Sequence, residues 1–546
     1  MPNITIDNVT IEVPPGATVL DAARKLGVHI PTLCFLEDMD PATSCMVCLV
    51  KVHPSGKLSP ACATPATDGL RVDSETPEVH AARRAALELL LSDHVGDCDG
   101  PCQGICPARM NIPLMIRQIA GGRLGEAIAT IKRDIAIPAI LGYICPAPCE
   151  RGCRRAQADR PLAICLLKRF AAEADLASPQ PYLPCVQPLS GRKVAIVGGG
   201  PAGLAAAHHV LLAGHACTLF DKKEHAGGML RHGVDETRLP SKVLDAEIEQ
   251  IRRLGCQFRL GVRVGQSPTL AELRQQFDAV IVAVGHVRNE TERLGLEASA
   301  KGIAADPRTL ASPQKGVFVA GDATGLYSGH HPMAVRAVAS GKAAAAAVHQ
   351  YLSGQAVTGE AKRFSTHVGL LHEGEIAAFL AGCDAPAAAA TRPHTDIDDM
   401  SGEEFDATPG LPPHFDLARG LTAEQARQEA ARCLHCDCRK ADHCRLRDCC
   451  QQYAARPAHY KATRKQFEQD RGHGEIVFES GKCIDCGLCI RITRRAGEKL
   501  GLTFLGRGFD VRVAPPFGHP LWEAITTAAA ECIAACPTGA LASKKE

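Results

Sequence analysis

The sequence predicts a multidomain chain of mixed α+β and α/β class, on three observations. Its 546 residues are enough for about three to five domains. Its 26 cysteines fall mostly into tight groups instead of being spread evenly. One glycine-rich turn, in "VAIVGGGPAGLAAAHHVLLAGHACTLFD", joins an apolar strand pattern to a helical one. Hydrophobic content of 46% and charged content of 22% suit a globular chain. A net charge of +1 gives no electrostatic footprint for nucleic acid or an anionic membrane surface. No run approaches the ~20 apolar residues of a membrane span, and Met-Pro-Asn opens no signal-peptide pattern. The expected location is cytoplasmic, where clustered cysteines read as metal ligands and not as disulfides.

Residues 1–80 open with "ITIDNVTIEV", two alternating strands about an Asp7-Asn8 turn. "ATVLDAARKLG" follows at helical spacing and stops at Gly27, a C-terminal cap. Behind it stand Cys34, Cys45, Cys48 and Cys62, spaced C-x10-C-x2-C-x13-C. Thiolates suit zinc as well as iron–sulfur clusters, so spacing has to arbitrate, and four thiolates meet the need of a [2Fe–2S] centre. This spacing resembles the N-terminal ferredoxin domain of the large iron–sulfur subunit of respiratory complex I.

Residues 81–184 are expected to be helical, with His94, Cys98, Cys102 and Cys106 four residues apart, then Cys145, Cys149, Cys153 and Cys165. "CPAPCERGC" resembles the FAD/iron–sulfur small subunit of bacterial glutamate synthase and the N-terminal part of dihydropyrimidine dehydrogenase. The likeness runs from about Cys98 to His349. It implies two interleaved [4Fe–4S] clusters, one on Cys98, Cys102 and Cys153, the other on Cys106, Cys145 and Cys149. The fourth ligands depart from the family: His94 is expected for the first cluster. For the second, Lys168 stands at the family's Glu or Gln, and Cys165, one helical turn earlier, is expected instead. An alternative groups His94, Cys98, Cys102 and Cys106 as one centre, which orphans the second cysteine set.

Residues 185–355 hold the nucleotide fold. Gly198, Gly200 and Gly203 form GxGxxG, and Asp221 closes the second strand. The glycines permit the tight turn and the approach of a pyrophosphate to the helix N-terminus, while Asp221 can accept from a ribose hydroxyl. By the same resemblance Gly228, Met229 and Arg238 lie along an FAD, and in "GVFVAGDATG" Gly321 and Asp322 meet its ribityl chain. In the glutamate synthase family a second nucleotide-binding domain separates segments like "FDAVIVAVG" and "GVFVAGD"; here only Gly285 to Gly316 does. One βαβ unit needs ~30 residues and a domain ~100–150, so a nicotinamide domain is expected to be missing.

Residues 356–430 read as an Ala-, Pro- and acid-rich connector with a little helix. In 431–470, Cys433, Cys436, Cys438 and Cys444 suit a [4Fe–4S] cluster or a zinc ion. Residues 471–546 resemble a two-cluster ferredoxin with one cluster kept, on Cys483, Cys486, Cys489 and Cys536. Thr493, Thr526 and Ala529 stand where the other cluster's cysteines belong, leaving Cys532. The expected cofactors are therefore FAD, one [2Fe–2S] and about four [4Fe–4S]. Cys185, Cys217, Cys256, Cys383, Cys449, Cys450 and Cys532 have no assigned role.

The expected function is that of an oxidoreductase electron-transfer subunit, relaying electrons between flavin, clusters and partner redox subunits. Such a partner is an NAD(P)H-, hydrogen- or formate-linked module, or a soluble ferredoxin. The alternative is a stand-alone flavoenzyme acting on NAD(P)H or a small substrate, with His232, His330 and His331 the nearest acid/base groups. A zinc-stabilised adaptor is the third reading, which metal analysis would settle.

Overall fold

The computed structural model describes residues 1–286, 290–326, 333–383, 419–460 and 464–544. They divide into two units: Met1–Asp99 with Arg363–Gly382 and His435–Glu546, and Gly100–Lys362 with Cys383–Leu434.

In the first unit, β1 (Asn3–Ile6) and β2 (Val9–Glu12) form the expected hairpin. Asp7 (φ 46°) and Asn8 (φ 68°) supply the left-handed pair that a two-residue turn demands. With β3 (Leu49–His53), β4 (Lys57–Pro60) and β5 (Arg71–Asp73) they make a sheet of order β2-β1-β5-β3-β4, in which only β1 and β5 pair parallel. The Val19–Lys25 helix starts in a reciprocal Thr18–Asp21 capping box. It packs Val19, Leu20, Ala22 and Ala23 with Ile4, Ile6, Val50 and Val72 of the sheet. The Pro77–Ser92 helix carries the fully buried Arg83, whose Nε donates to Leu49 O and whose Nη1 donates to the Tyr453 hydroxyl.

The C-terminal part of this unit pairs β11 (Ile476–Phe478) antiparallel with β14 (Leu541–Ser543), and β12 (Thr503–Leu505) with β13 (Arg512–Ala514). The second unit holds β6 to β10: Lys193–Val197, Ala216–Phe220, Gln257–Arg259, Ala279–Val282 and Val317–Val319. They form one parallel sheet of order β10-β9-β6-β7-β8, buried in its inner strands as a parallel sheet requires and exposed at the edge strand β8. Among the described residues there is no second parallel sheet. The 283–316 connection carries, among its described residues, only the short Glu290–Leu294 helix and isolated bridges.

Next to this sheet stand the helices of the cysteine-bearing region, chiefly Ile112–Ala120, Leu124–Lys132, Pro138–Ile144 and Ile164–Leu176. They share one apolar core with it. Glu247, buried on the Ser241–Arg253 helix, accepts from the Ala139 and Ile140 amides at 2.8 Å each, filling orphan donors at a helix start.

The expected connector contributes structure to both units. The Glu375–Ala381 helix belongs to the first and the Ala423–Ala431 helix, capped by Thr422, to the second. Its 384–418 stretch lies outside the described residues.

Candidate iron–sulfur and dinucleotide sites

The N-terminal thiols come together as two close pairs, all four buried. The Sγ atoms of Cys48 and Cys62 are 3.5 Å apart. A hydrogen bond from the Cys45 thiol holds Cys34 down at about 5, and Cys62 holds Cys48 at about 7. A thiolate is the ligand form, so these pairs are half prepared for metal.

Cys106, Cys145, Cys149 and Cys165 also converge. Cys165 Sγ lies 3.3 Å from Leu141 O and close enough to Cys145 to draw its thiol down to about 6. Burial pushes Cys149 well above the ordinary thiol range, and burial raises Cys106. Gly142 makes this approach feasible: a Cβ there would stand 2.5 Å from Arg169 Cβ, so the Pro138–Ile144 helix crosses the Ile164–Leu176 helix closely. Lys168 is buried among the four thiols. Burial opposes its charge, but Cys165, Cys145, Cys149 and Cys106 outweigh that and raise its pKa.

Cys102 and Cys153 come from packed neighbours. Gly152 has no side chain, and a Cβ there would meet Ile105 Cδ1 at 2.2 Å. Cys433 reaches the same core as these two thiols. It is held by a buried network in which Arg155 binds Asp159 through two bonds (2.8 and 2.9 Å) and donates to Arg432 O. Cys98 and His94 lie in the other unit, as do Cys436, Cys438 and Cys444. The expected sets His94/Cys98/Cys102/Cys153 and Cys433/Cys436/Cys438/Cys444 are therefore each divided between the units.

At the C-terminus the structure brings all four expected ligands to one place. Cys483, Cys486, Cys489 and Cys536 line a cavity walled by Phe478, Val513, Pro537 and Leu541. Burial pushes Cys486 up to about 12 and Cys483 and Cys489 well above the usual range, so binding metal here releases protons. Among the described residues no three His, Cys, Asp or Glu side chains crowd the single point that one ion would take; these thiols surround a volume. The positions of the lost cluster are filled. Ala529 and Cys532 are buried with Ile492 and Ile525, and Thr493 Oγ1 accepts from Leu502 N–H. Glu498 takes the Thr526, Thr527 and Ala528 amides at 2.7–2.9 Å.

The glycines converge at the N-terminus of the Pro201–Leu212 helix. A Cβ on Gly203 would lie 1.8 Å from Gly198 O, and one on Gly198 2.3 Å from Ala283 O. Gly228 brings a second loop against Gly200, and Gly321, where a Cβ would lie 2.8 Å from Ala202 Cβ, packs its own loop against the start of the helix. Asp322, Met229 and Arg238 are exposed, and Gly285 faces open space. Asp221 accepts from the Gly199 amide at 2.6 Å and the Lys223 amide at 2.8 Å, which fixes the turn. His232 is exposed, and His330 and His331 lie outside the described residues.

Sequence reasoning missed three residues. Thr366, inside the expected connector, donates its N–H to Cys98 Sγ at 3.4 Å. Gly539 leaves room for Cys438, whose Sγ is 2.2 Å from where a Cβ would be. Lys482 is buried beside both Gly96 and Gly539 and ion-paired with Glu479. Lys482 directly precedes the expected ligand Cys483 and Gly539 follows Cys536 by three residues, but nothing in the spacing points either of them, or Thr366, toward Cys98 or Cys438.

Three stretches match known domain families. Residues 2–77 match the 2Fe-2S iron-sulfur cluster binding domain, residues 90–179 match dihydropyrimidine dehydrogenase domain II (4Fe-4S cluster), and residues 196–255 match the NAD(P)-binding Rossmann-like domain. The chain is 38% identical to the NADP(+)-dependent formate dehydrogenase subunit beta of Moorella thermoacetica, over 37% of this chain and 31% of the relative. It is 37% identical to the NAD-dependent dihydropyrimidine dehydrogenase subunit PreT of Escherichia coli K12, over 34% and 46% respectively. The NADPH glutamate synthase small chain of Mycobacterium tuberculosis is 37% identical, over 35% and 39%. In each case the match spans less than half of the relative's length. The resemblance to glutamate synthase and dihydropyrimidine dehydrogenase proteins holds, and the chain joins a 2Fe-2S domain, a 4Fe-4S domain and a Rossmann-like domain similar to those of oxidoreductase subunits.

Proposed function

We propose that this chain is an FAD- and iron–sulfur-containing electron-transfer subunit of a cytoplasmic multi-subunit oxidoreductase. The observation that carries this reading is the cavity lined by Cys483, Cys486, Cys489 and Cys536, the four thiols that the ferredoxin-like spacing also groups. The [2Fe–2S] ligands are Cys34, Cys45, Cys48 and Cys62, and one [4Fe–4S] sits on Cys106, Cys145, Cys149 and Cys165. Lys168 then places a positive charge against a net-negative cluster.

FAD exchanges electrons in pairs on one side and singly with clusters on the other. The choice of FAD for the Rossmann-like domain is supported by the loops at Gly228 and Gly321, which close on Gly200 and Ala202 at the glycine turn, and by the exposed Asp322 that follows Gly321. Gly198, Gly200 and Gly203 admit a pyrophosphate to the helix N-terminus, where unpaired amides favour an anion. Met229, Arg238 and Gly285 border the rest of the molecule. The partner is a redox subunit linked to NAD(P)H, hydrogen or formate, or a soluble ferredoxin. Similarity to a formate dehydrogenase subunit supports the formate-linked kind.

Cofactor analysis of the anaerobically reconstituted full chain tests the reading. One flavin per chain, iron matched by acid-labile sulfide, and bleaching by dithionite are expected. Zinc in place of iron, or absence of flavin, would overturn it.

A further inference from the structure

We propose that His94, Cys98, Cys438 and Cys444 form one [4Fe–4S] ligand set, assembled from two stretches far apart in the chain. The inference rests on reading the chain as an iron–sulfur carrier. It departs from the spacing-based groups, in which His94 and Cys98 belong with Cys102 and Cys153, and Cys438 and Cys444 with Cys433 and Cys436.

Four observations within the first unit support the set. The Cys438 amide donates to Cys98 O at 3.3 Å, which ties the two stretches backbone to backbone. Cys98, Cys438 and Cys444 are all buried. His94 Nδ1 is shut off from solvent and has no hydrogen-bond partner among the described residues, a costly arrangement unless something takes that lone pair. Lys482 also bridges the two stretches, lying against Gly96, between His94 and Cys98, and against Gly539, on which Cys438 presses.

The surroundings fit a ligand set. Gly96 and Gly539 are bare where Lys482 and Cys438 press in, with would-be Cβ distances of 2.6 Å to Lys482 Cε and 2.2 Å to Cys438 Sγ. Amides of Thr366 and Arg447 point at the sulfurs of Cys98 (3.4 Å) and Cys444 (3.5 Å), and hydrogen bonds to ligand sulfurs help set a cluster's potential. The Asp99 carboxylate takes both oxygens to Arg447 at 2.9 Å, pinning the Cys98 and Cys444 stretches together. Cys450 is also buried near Cys444, in the same apolar cluster, and the experiment separates it from the set.

The test is pulsed EPR on the dithionite-reduced full chain, with and without histidine-specific ¹⁵N labelling. One [4Fe–4S] signal is expected to carry a strong nitrogen coupling that changes with the isotope. His94→Cys should keep the iron content and abolish the coupling. Cys438→Ser and Cys444→Ser should each alter or remove that same signal, whereas Cys102→Ser and Cys450→Ser should leave it intact. Absence of any histidine coupling, its survival in His94→Cys, or its loss in Cys102→Ser or Cys450→Ser would overturn the assignment. Iron content separates the two levels. A chain that loads no iron sinks the carrier reading and this set with it, while a fully loaded chain without histidine coupling sinks this set alone.

Discussion

At Gly228 the backbone is left-handed (φ 52°), and a methyl group would meet Gly200 Cα at 2.8 Å. Both facts forbid a side chain where a second loop closes on the glycine turn. Gly228→Ala is therefore expected to lower the flavin content of the purified chain by about tenfold, roughly 1.4 kcal/mol of binding, with iron content unchanged. Flavin absorbance per chain against iron checks this. Residues of this kind were legible in the sequence because their meaning is local: a glycine turn after an apolar strand, or cysteines two and three apart. Thr366, Lys482 and Gly539 were not, because each acquires a role only through contact with Cys98, His94 or Cys438. Lys168 was legible as a residue that cannot ligate, and its burial among four thiols shows what it does instead.

At the scale of elements, the strand, turn and helix patterns of the N-terminal sheet and the Rossmann-like domain were readable from alternation, caps and glycines. The short Glu375–Ala381 helix was harder, because a buried ion pair anchors it instead of an amphipathic face. Glu375 is fully buried and accepts from Arg464, from the Phe467 amide and from the His372 amide. The Arg464 guanidinium and these amides outweigh its burial and hold its carboxyl at about 2. The unfolded value is about 4.3, so the folded form favours the carboxylate. The resulting stability is present above about pH 4.3 and is lost as pH falls through about 2. Glu375→Gln leaves Arg464 without its counter-charge and is expected to cost about 3–5 kcal/mol at pH 7. Urea midpoints of both forms should therefore differ most at neutral pH and draw together between pH 4 and pH 2. A gap that stays constant over that range would contradict the ion-pair account.

For the whole molecule, the 2Fe-2S, 4Fe-4S and Rossmann-like domains were legible, whereas the grouping of the chain into units was not. Spacing along the sequence cannot show that Cys433 and Cys444 fall in different units, or that Cys98 and Cys438 touch. At this scale one parallel sheet is present among the described residues, and the 283–316 connection is shorter than a typical domain. The central claim is that this chain carries a flavin and clusters but depends on partners for any exchange with a nicotinamide nucleotide. Anaerobic titration of the reconstituted chain with NADH and then NADPH, followed by flavin and cluster absorbance, tests it most directly, with dithionite as the control. The account predicts no bleaching by either nucleotide and full bleaching by dithionite. Rapid bleaching by NADH or NADPH would contradict it and make the chain a dehydrogenase in its own right.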